Sequence, residues 1–93
     1  MHRLTLPAAA PLAVLATGAF LKNRACLLRG REVLWSPLHG DLSDPTACAA
    51  LQDSVDALLQ AAGGRVACVA HDLHPDFPST RLALATAARL NVP

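Results

Sequence analysis

"DPTACAALQDSVDALLQAAGGRVACVA", residues 44–70, decides how the chain folds. Its first part reads as a helix. Asp44 can accept from the free N–H groups of the first turn, and Pro45 suits the first helical position, where its missing N–H is harmless. Cys48, Leu51, Val55, Leu58, Leu59 and Ala62 recur at helical spacing and make one apolar face, while Gln52, Asp53 and Asp56 face away. Gly63 and Gly64 end the helix, because glycine enters the left-handed region at low cost. "RVACVA", residues 65–70, lacks polar alternation and reads as a strand buried on both faces.

Upstream, "LAVLAT" (12–17) is a short apolar run closed by Gly18, which suits a buried strand. "RACLL" (24–28) and "EVLWS" (32–36) flank "RGR", a hairpin signal with Gly30 in the turn. A helix crossing from these strands to "RVACVA" makes the first and fourth strands parallel neighbours. The expected architecture is therefore α/β, strand-strand-strand-helix-strand-helix, with a mixed sheet in the order 3-2-1-4. Ser79 is read as the cap of a second helix running to about Leu90, whose face is weak because Ala83, Ala85, Ala87 and Ala88 bury little. Residues 1–11, with Pro7 and Pro11, read as a linker or extended lead-in, and 12–93 as one domain.

Composition limits the partners. Hydrophobic residues make up 53% of the 93, but 19 are alanine, against 23 leucines and valines, so the core is thin and leucine-based. Only 16% of residues are charged, which predicts apolar surface covered by a partner. Net charge is +1 with a single lysine, Lys22, and no basic stripe, which argues against nucleic acid. Cys26, Cys48 and Cys68 are odd in number and widely spaced, as expected of reduced thiols in the cytoplasm. The apolar run from Leu12 to Leu21 is too short to span a bilayer, so no membrane is expected.

Three polar turns follow strands: "GAFLKNR" (18–24), "LHGDLSD" (38–44) and "HDLHPDFPST" (71–80). The first and last lie at the carboxyl ends of the parallel pair, where open α/β sheets place ligands. A glycine turn lets backbone N–H groups approach a phosphate, Lys22 adds a mobile cation, and Asp41 and Asp72 can hold a cation or a hydroxyl. Each piece also has a plain structural reading. Gly18 with Lys22 and Asn23 fits an ordinary hairpin turn, and Gly40–Asp41 fits the approach to the helix cap. His71-x-x-His74 has metal-site spacing without a third close ligand, so no metal is assigned. Cys68 reads as packing, Trp35 as half-buried core, and Ser79 as a cap rather than a nucleophile.

"LATGAFLKNRACLLRGREVLWSPLHGDLSDP" and "VACVAHDLHPDFPSTRLA" resemble the hydrogenase-maturation carbamoyltransferase family, HypF, whose matching segments run approximately GAELKNTF, HIGDL and DLHPDYxST. The likeness covers about residues 12–90, in order, and implies the start of a carbamoyltransferase module with the sugar-kinase/actin superfold, here a partial actin-like or ribonuclease-H-like half-lobe. The family activates carbamoyl phosphate with ATP to a carbamoyl-adenylate. It then passes the carbamoyl group to the C-terminal cysteine of a partner, HypE, making the cyanide ligands of nickel–iron hydrogenases. By this resemblance Gly18, Lys22 and Asn23 belong to a phosphate-facing turn. His39, Gly40 and Asp41 form a second turn, and Asp72, His74, Pro75, Ser79 and Thr80 a third. ATP and carbamoyl phosphate are the implied small molecules, neither expected to bind tightly. Phe20 stands where the family has an acidic residue, and Arg24 where it has Thr or Ser.

The chain stops at "LNVP", before the family's histidine motif, glycine-rich nucleotide segment and second lobe, so the isolated chain is expected to be inactive alone. The alternatives are a non-catalytic interaction module, or one chain of a split enzyme whose second lobe comes from another chain. "RVACVA" is expected to be an exposed edge strand and to drive homo-oligomer formation, weakened by Val69→Lys, unless "HRLTLP" folds back over that edge.

Overall fold

The computed structural model describes residues 1–93. Its elements are β1 (His2–Thr5), β2 (Val14–Ala16), β3 (Cys26–Arg29), β4 (Glu32–Trp35), α1 (Pro45–Ala61), β5 (Cys68–Ala70) and α2 (Pro78–Leu90). They form one five-stranded sheet in the order β1-β4-β3-β2-β5. β2 pairs antiparallel with β3 and parallel with β5, so the expected order of the four inner and downstream strands and the expected parallel pair are both present.

The core follows from strand alternation. Leu34, Leu27, Leu15 and Val69 occupy matching register positions on four neighbouring strands and are all buried. This row meets Ala47, Leu51, Val55, Leu58 and Leu59 of α1 and Ala83 of α2. Side chains alternate across a strand, so the next register positions point the other way. Val14, Leu28, Val33 and Cys68, with Cys26 and Trp35, are only half-buried there.

α1 is bounded as its ends predict. Asp44 Oδ1 accepts from Thr46 N–H at 2.9 Å, Pro45 opens the helix, and Gly63 and Gly64 follow its end with φ of +66° and +77°. α2 differs from expectation. Its cap is Phe77, with Pro78 at the first helical position, and no side chain caps it. Ser79 is inside the helix, fully buried, and its Oγ has no hydrogen-bond partner. The proline moved the boundary: its fixed φ and missing N–H suit the first helical turn, which leaves Ser79 past the cap position.

The two sheet edges add to these readings. The stretch 1–11 is an extended lead-in, and its first part is a strand of the sheet. His2–Thr5 pairs antiparallel with β4, and Leu6 N–H and Ala10 N–H continue to the carbonyls of Arg31 and Gly30 at 2.6 and 2.8 Å. The lead-in therefore covers the β4 edge, not the β5 edge. β5 is the opposite edge strand but is not buried on both faces: Cys68 is half-buried, Val69 buried and Ala70 exposed. Its edge is also short. The Val69 N–H that faces away from β2 donates to the Pro93 carbonyl at 2.9 Å. Because the Val69 side chain is in the core row, Val69→Lys disturbs packing before it disturbs any edge.

The two helix starts make opposite predictions. Asp44→Ala removes a cap and lowers stability by about 1 kcal/mol. Ser79→Ala removes a buried hydroxyl that has no partner, so it is neutral or mildly stabilising. Urea denaturation compares the two, and an equal loss at Ser79 would show that α2 is capped there.

Candidate functional site

The carboxyl ends of β2 and β5 lie side by side, held beyond the ladder by Thr17 N–H donating to the Ala70 carbonyl at 3.2 Å. Above them is a groove of about 290 Å³ lined by Ala16, Gly18, Ala19, Ala70, His71 and Asp72. A larger groove of about 560 Å³ lies between the C-terminal ends of α1 and α2, lined by residues such as Asp56, Gly63 and Arg89. It sits away from the strand ends and from all three polar turns.

The first turn is shaped by Asn23, which is wholly buried. Its Nδ2 donates to the Thr17 carbonyl at 2.9 Å and the Ala19 carbonyl at 2.6 Å, closing the turn on itself. That fixes the amide orientation and turns Oδ1 toward His39 Nδ1 at 2.7 Å, so Nδ1 must carry the proton and donate. His39 Nε2 then accepts from Ser54 Oγ of α1, also at 2.7 Å. The backbone repeats the link: Asn23 N–H donates to Gly40 O at 2.9 Å, and His39 N–H to Asn23 O at 2.8 Å.

Within this frame Gly18 has φ +78° and Lys22 φ +50°, both left-handed. A Cβ on Gly18 would stand 1.9 Å from the Arg24 carbonyl oxygen and 3.0 Å from Asn23 Nδ2. The backbone N–H groups of residues 18 to 22 donate to no other protein group; the turn's bonds begin before them, at Thr17, and resume after them, at Asn23. Successive free N–H groups in such a turn form a concavity suited to an anion.

The third turn is tied to its neighbours by backbone and ring contacts. Thr17 Oγ1 donates to the Ser79 carbonyl at 2.9 Å, and Thr80 Oγ1 to the Asp72 carbonyl at 3.2 Å. Phe77 stacks on Phe20 with ring centroids 4.9 Å apart and on His74 at 4.3 Å, so Phe20 bolts the first turn to the third. His71 Nδ1 is used by the Asp72 carbonyl, and His74 Nδ1 by Asp76 N–H. No group of three His, Cys, Asp or Glu side chains is placed to hold a metal ion.

Of the residues singled out from sequence, the groove brings together Gly18 and Asp72. Lys22 is exposed on the same turn, outside the lining. Asn23, His39 and Gly40 form the supporting network. Asp41 is exposed, and its Oδ1 accepts from Ser43 N–H at 2.8 Å, which holds its carboxyl below the ordinary carboxylate range. His74 and Pro75 are exposed beyond the groove, and Ser79 and Thr80 are buried beneath the turn. Sequence reasoning missed Ala16, Ala19 and Ala70 as lining and Thr17, Ser54 and Phe77 as supports. His71 was visible only as half of a metal spacing, although its place directly after the strand was the better signal.

Comparisons with known proteins place the chain in a family. The model of the HypF Kae1-like domain matches residues 9–92. The whole chain is 65% identical to a carbamoyltransferase HypF homolog of Cupriavidus necator, of which it covers 24%. It is 48% identical over 80 residues to carbamoyltransferase HypF2 of the same organism, covering 10% of that protein. The chain thus spans a quarter or less of these relatives. The crystal structure of full-length HypF in the phosphate- and nucleotide-bound form superposes with a TM-score of 0.80 at 26% identity, over 89% of this chain and 11% of that one. No helix here is long and apolar enough to cross a membrane.

Two predictions follow from the geometry. Gly18→Ala costs at least about 2 kcal/mol, because a left-handed φ and a backbone clash coincide; thermal unfolding measures it. Burial holds the His39 pKa below its ordinary 6.5, so the unfolded chain takes up that proton first as pH falls. Stability therefore declines as pH drops below 6.5 toward the folded-state value, and NMR titration of the His39 ring gives a midpoint under 6.5.

Proposed function

The chain belongs to the HypF family, through its Kae1-like domain, and on that premise we propose that residues 18–22 form the phosphate-facing turn of a carbamoyltransferase site. The observation that supports this reading best is the run of backbone N–H groups without protein acceptors. It lies at the carboxyl ends of a parallel strand pair, across a groove from Asp72. Such donors are pre-oriented and need no reorganisation when an anion arrives. Lys22, free and exposed on the left-handed end of the turn, supplies the mobile positive charge.

In a complete family protein the anion would be the phosphate of carbamoyl phosphate or of ATP, on the route to carbamoyl-adenylate. The carbamoyl group would then pass to the C-terminal cysteine of HypE during nickel–iron hydrogenase maturation. This chain contributes one wall of such a cleft. Charge alone is a poor anchor at an exposed turn, so affinity of the isolated wall is low. A second reading, a non-catalytic interaction module, is favoured by Phe20. Its ring stacks on Phe77, in place of the acidic residue that the resembling motif carries.

Titration of the isotope-labelled chain with inorganic phosphate, carbamoyl phosphate and ATP separates the two. The carbamoyltransferase reading expects amide shifts confined to residues 18–22 and 71–72, with a dissociation constant on the order of 1 mM. Lys22→Ala should weaken binding about threefold to tenfold, as expected for loss of an exposed charge partner. Silence of the 18–22 amides toward all three compounds would remove the phosphate reading and leave the interaction module.

A further inference from the structure

We infer that Ser54 on α1, acting through His39, is a positioning residue for the 18–22 turn; this rests on the phosphate-facing reading of that turn. The argument begins with how completely Asn23 is used. Its amide N–H₂, its carbonyl Oδ1, its backbone N–H and its backbone C=O are all engaged, and it is wholly buried. The two Nδ2 bonds reach the carbonyls of Thr17 and Ala19, on either side of Gly18, so the side chain sets the curvature of the turn. An amide flipped by half a turn would set Oδ1 against two carbonyl oxygens and Nδ2 against a donor.

The two turn carbonyls fix the amide, and what the histidine must supply is a proton on Nδ1 for the outward-facing Oδ1. A neutral imidazole carries one N–H, and free in water it favours Nε2. Here Asn23 Oδ1 needs the proton on Nδ1, so Nε2 is the acceptor, and the Ser54 hydroxyl 2.7 Å away donates to it and holds the ring in the tautomer that water disfavours. Ser54 is in the middle of α1, whose apolar face is anchored in the core by Leu51 and Val55. The relay Ser54–His39–Asn23 thus transfers the rigidity of a packed helix to a loop with no core contacts of its own beyond Phe20. Each link is a short hydrogen bond between groups that are at least half-shielded from water, where such bonds are directional and costly to leave unmade. Ser54 touches no groove and belongs to none of the three polar turns.

The test uses the full chain with Ser54→Ala, Ser54→Thr and Ser54→Cys, followed by ring-nitrogen and amide NMR and by inorganic phosphate titration. The wild type is expected to show His39 in the Nδ1–H form. Ser54→Ala is expected to move the ligand-free amide resonances of residues 18–22 and weaken phosphate binding about fivefold, the loss of one hydrogen bond, with circular dichroism unchanged. Ser54→Thr, which keeps the hydroxyl, restores both. Ser54→Cys, a weaker donor of similar shape, falls between and remains informative if the alanine variant folds poorly. A wild-type His39 protonated on Nε2, or 18–22 amides unmoved in both Ser54→Ala and Ser54→Cys, overturns the inference. If the wild type binds no phosphate at all, the phosphate-facing reading fails, and the ligand-free amide shifts alone decide the role of Ser54.

Discussion

One buried amide holds the polar end of this half-lobe together. Asn23 closes the first turn by its Nδ2, joins the second turn through Oδ1 and the paired backbone bonds to His39 and Gly40, and does so without contact with water. Burying an asparagine costs free energy unless every polar atom is matched, and here each is. The same bonds force Gly18 against the Arg24 carbonyl, so that position has no room for a side chain. The turn, the glycine and the histidine behind it are consequences of one desolvated group satisfying its valences.

The rest of the scaffold serves to bring β2 and β5 into register. The row Leu34–Leu27–Leu15–Val69 and the leucines of α1 form a single apolar layer, and α2 closes it with Ala83. The two sheet edges are treated differently. β1 runs along the full length of β4, whereas β5 has only the Pro93 carbonyl on its outward N–H. Apolar residues on the sheet face away from the helices, among them Trp35, Leu28 and Val14, are half-exposed.

Much of this was legible in the sequence because local signals and global pattern agreed. Asp44–Pro45 and Gly63–Gly64 bracket α1, Gly30 turns the β3–β4 hairpin, and a helix between two apolar runs demanded a parallel pair. β1 was not legible: four exposed residues before two prolines carry no alternation, and only its partner strand gives them order. Ser79 misled because serine before an apolar run resembles a cap, while the preceding Pro78 already fixed the helix start. The site was half legible. Turn residues and strand ends could be located from composition and order. Nothing in the spacing of Asn23, His39 and Ser54 announces that they meet, since their contact depends on how α1 lies over the sheet.

The parallel pair also has a kinetic meaning. β3 and β4 are joined by a two-residue turn, and hairpins of that kind close within microseconds. β2 meets β5 only after the hairpin and all of α1 have intervened, and the register Val14↔Cys68 rewards none of that loop closure until α1 has docked. The Thr17–Ala70 bond and the groove above it therefore depend on a long-range closure that the local hairpin does not need. A nascent chain would possess its hairpin and helix before it possessed a site. A ligand held at that seam would slow unfolding more than it sped folding, because the contacts it adds are absent from the early, locally ordered states.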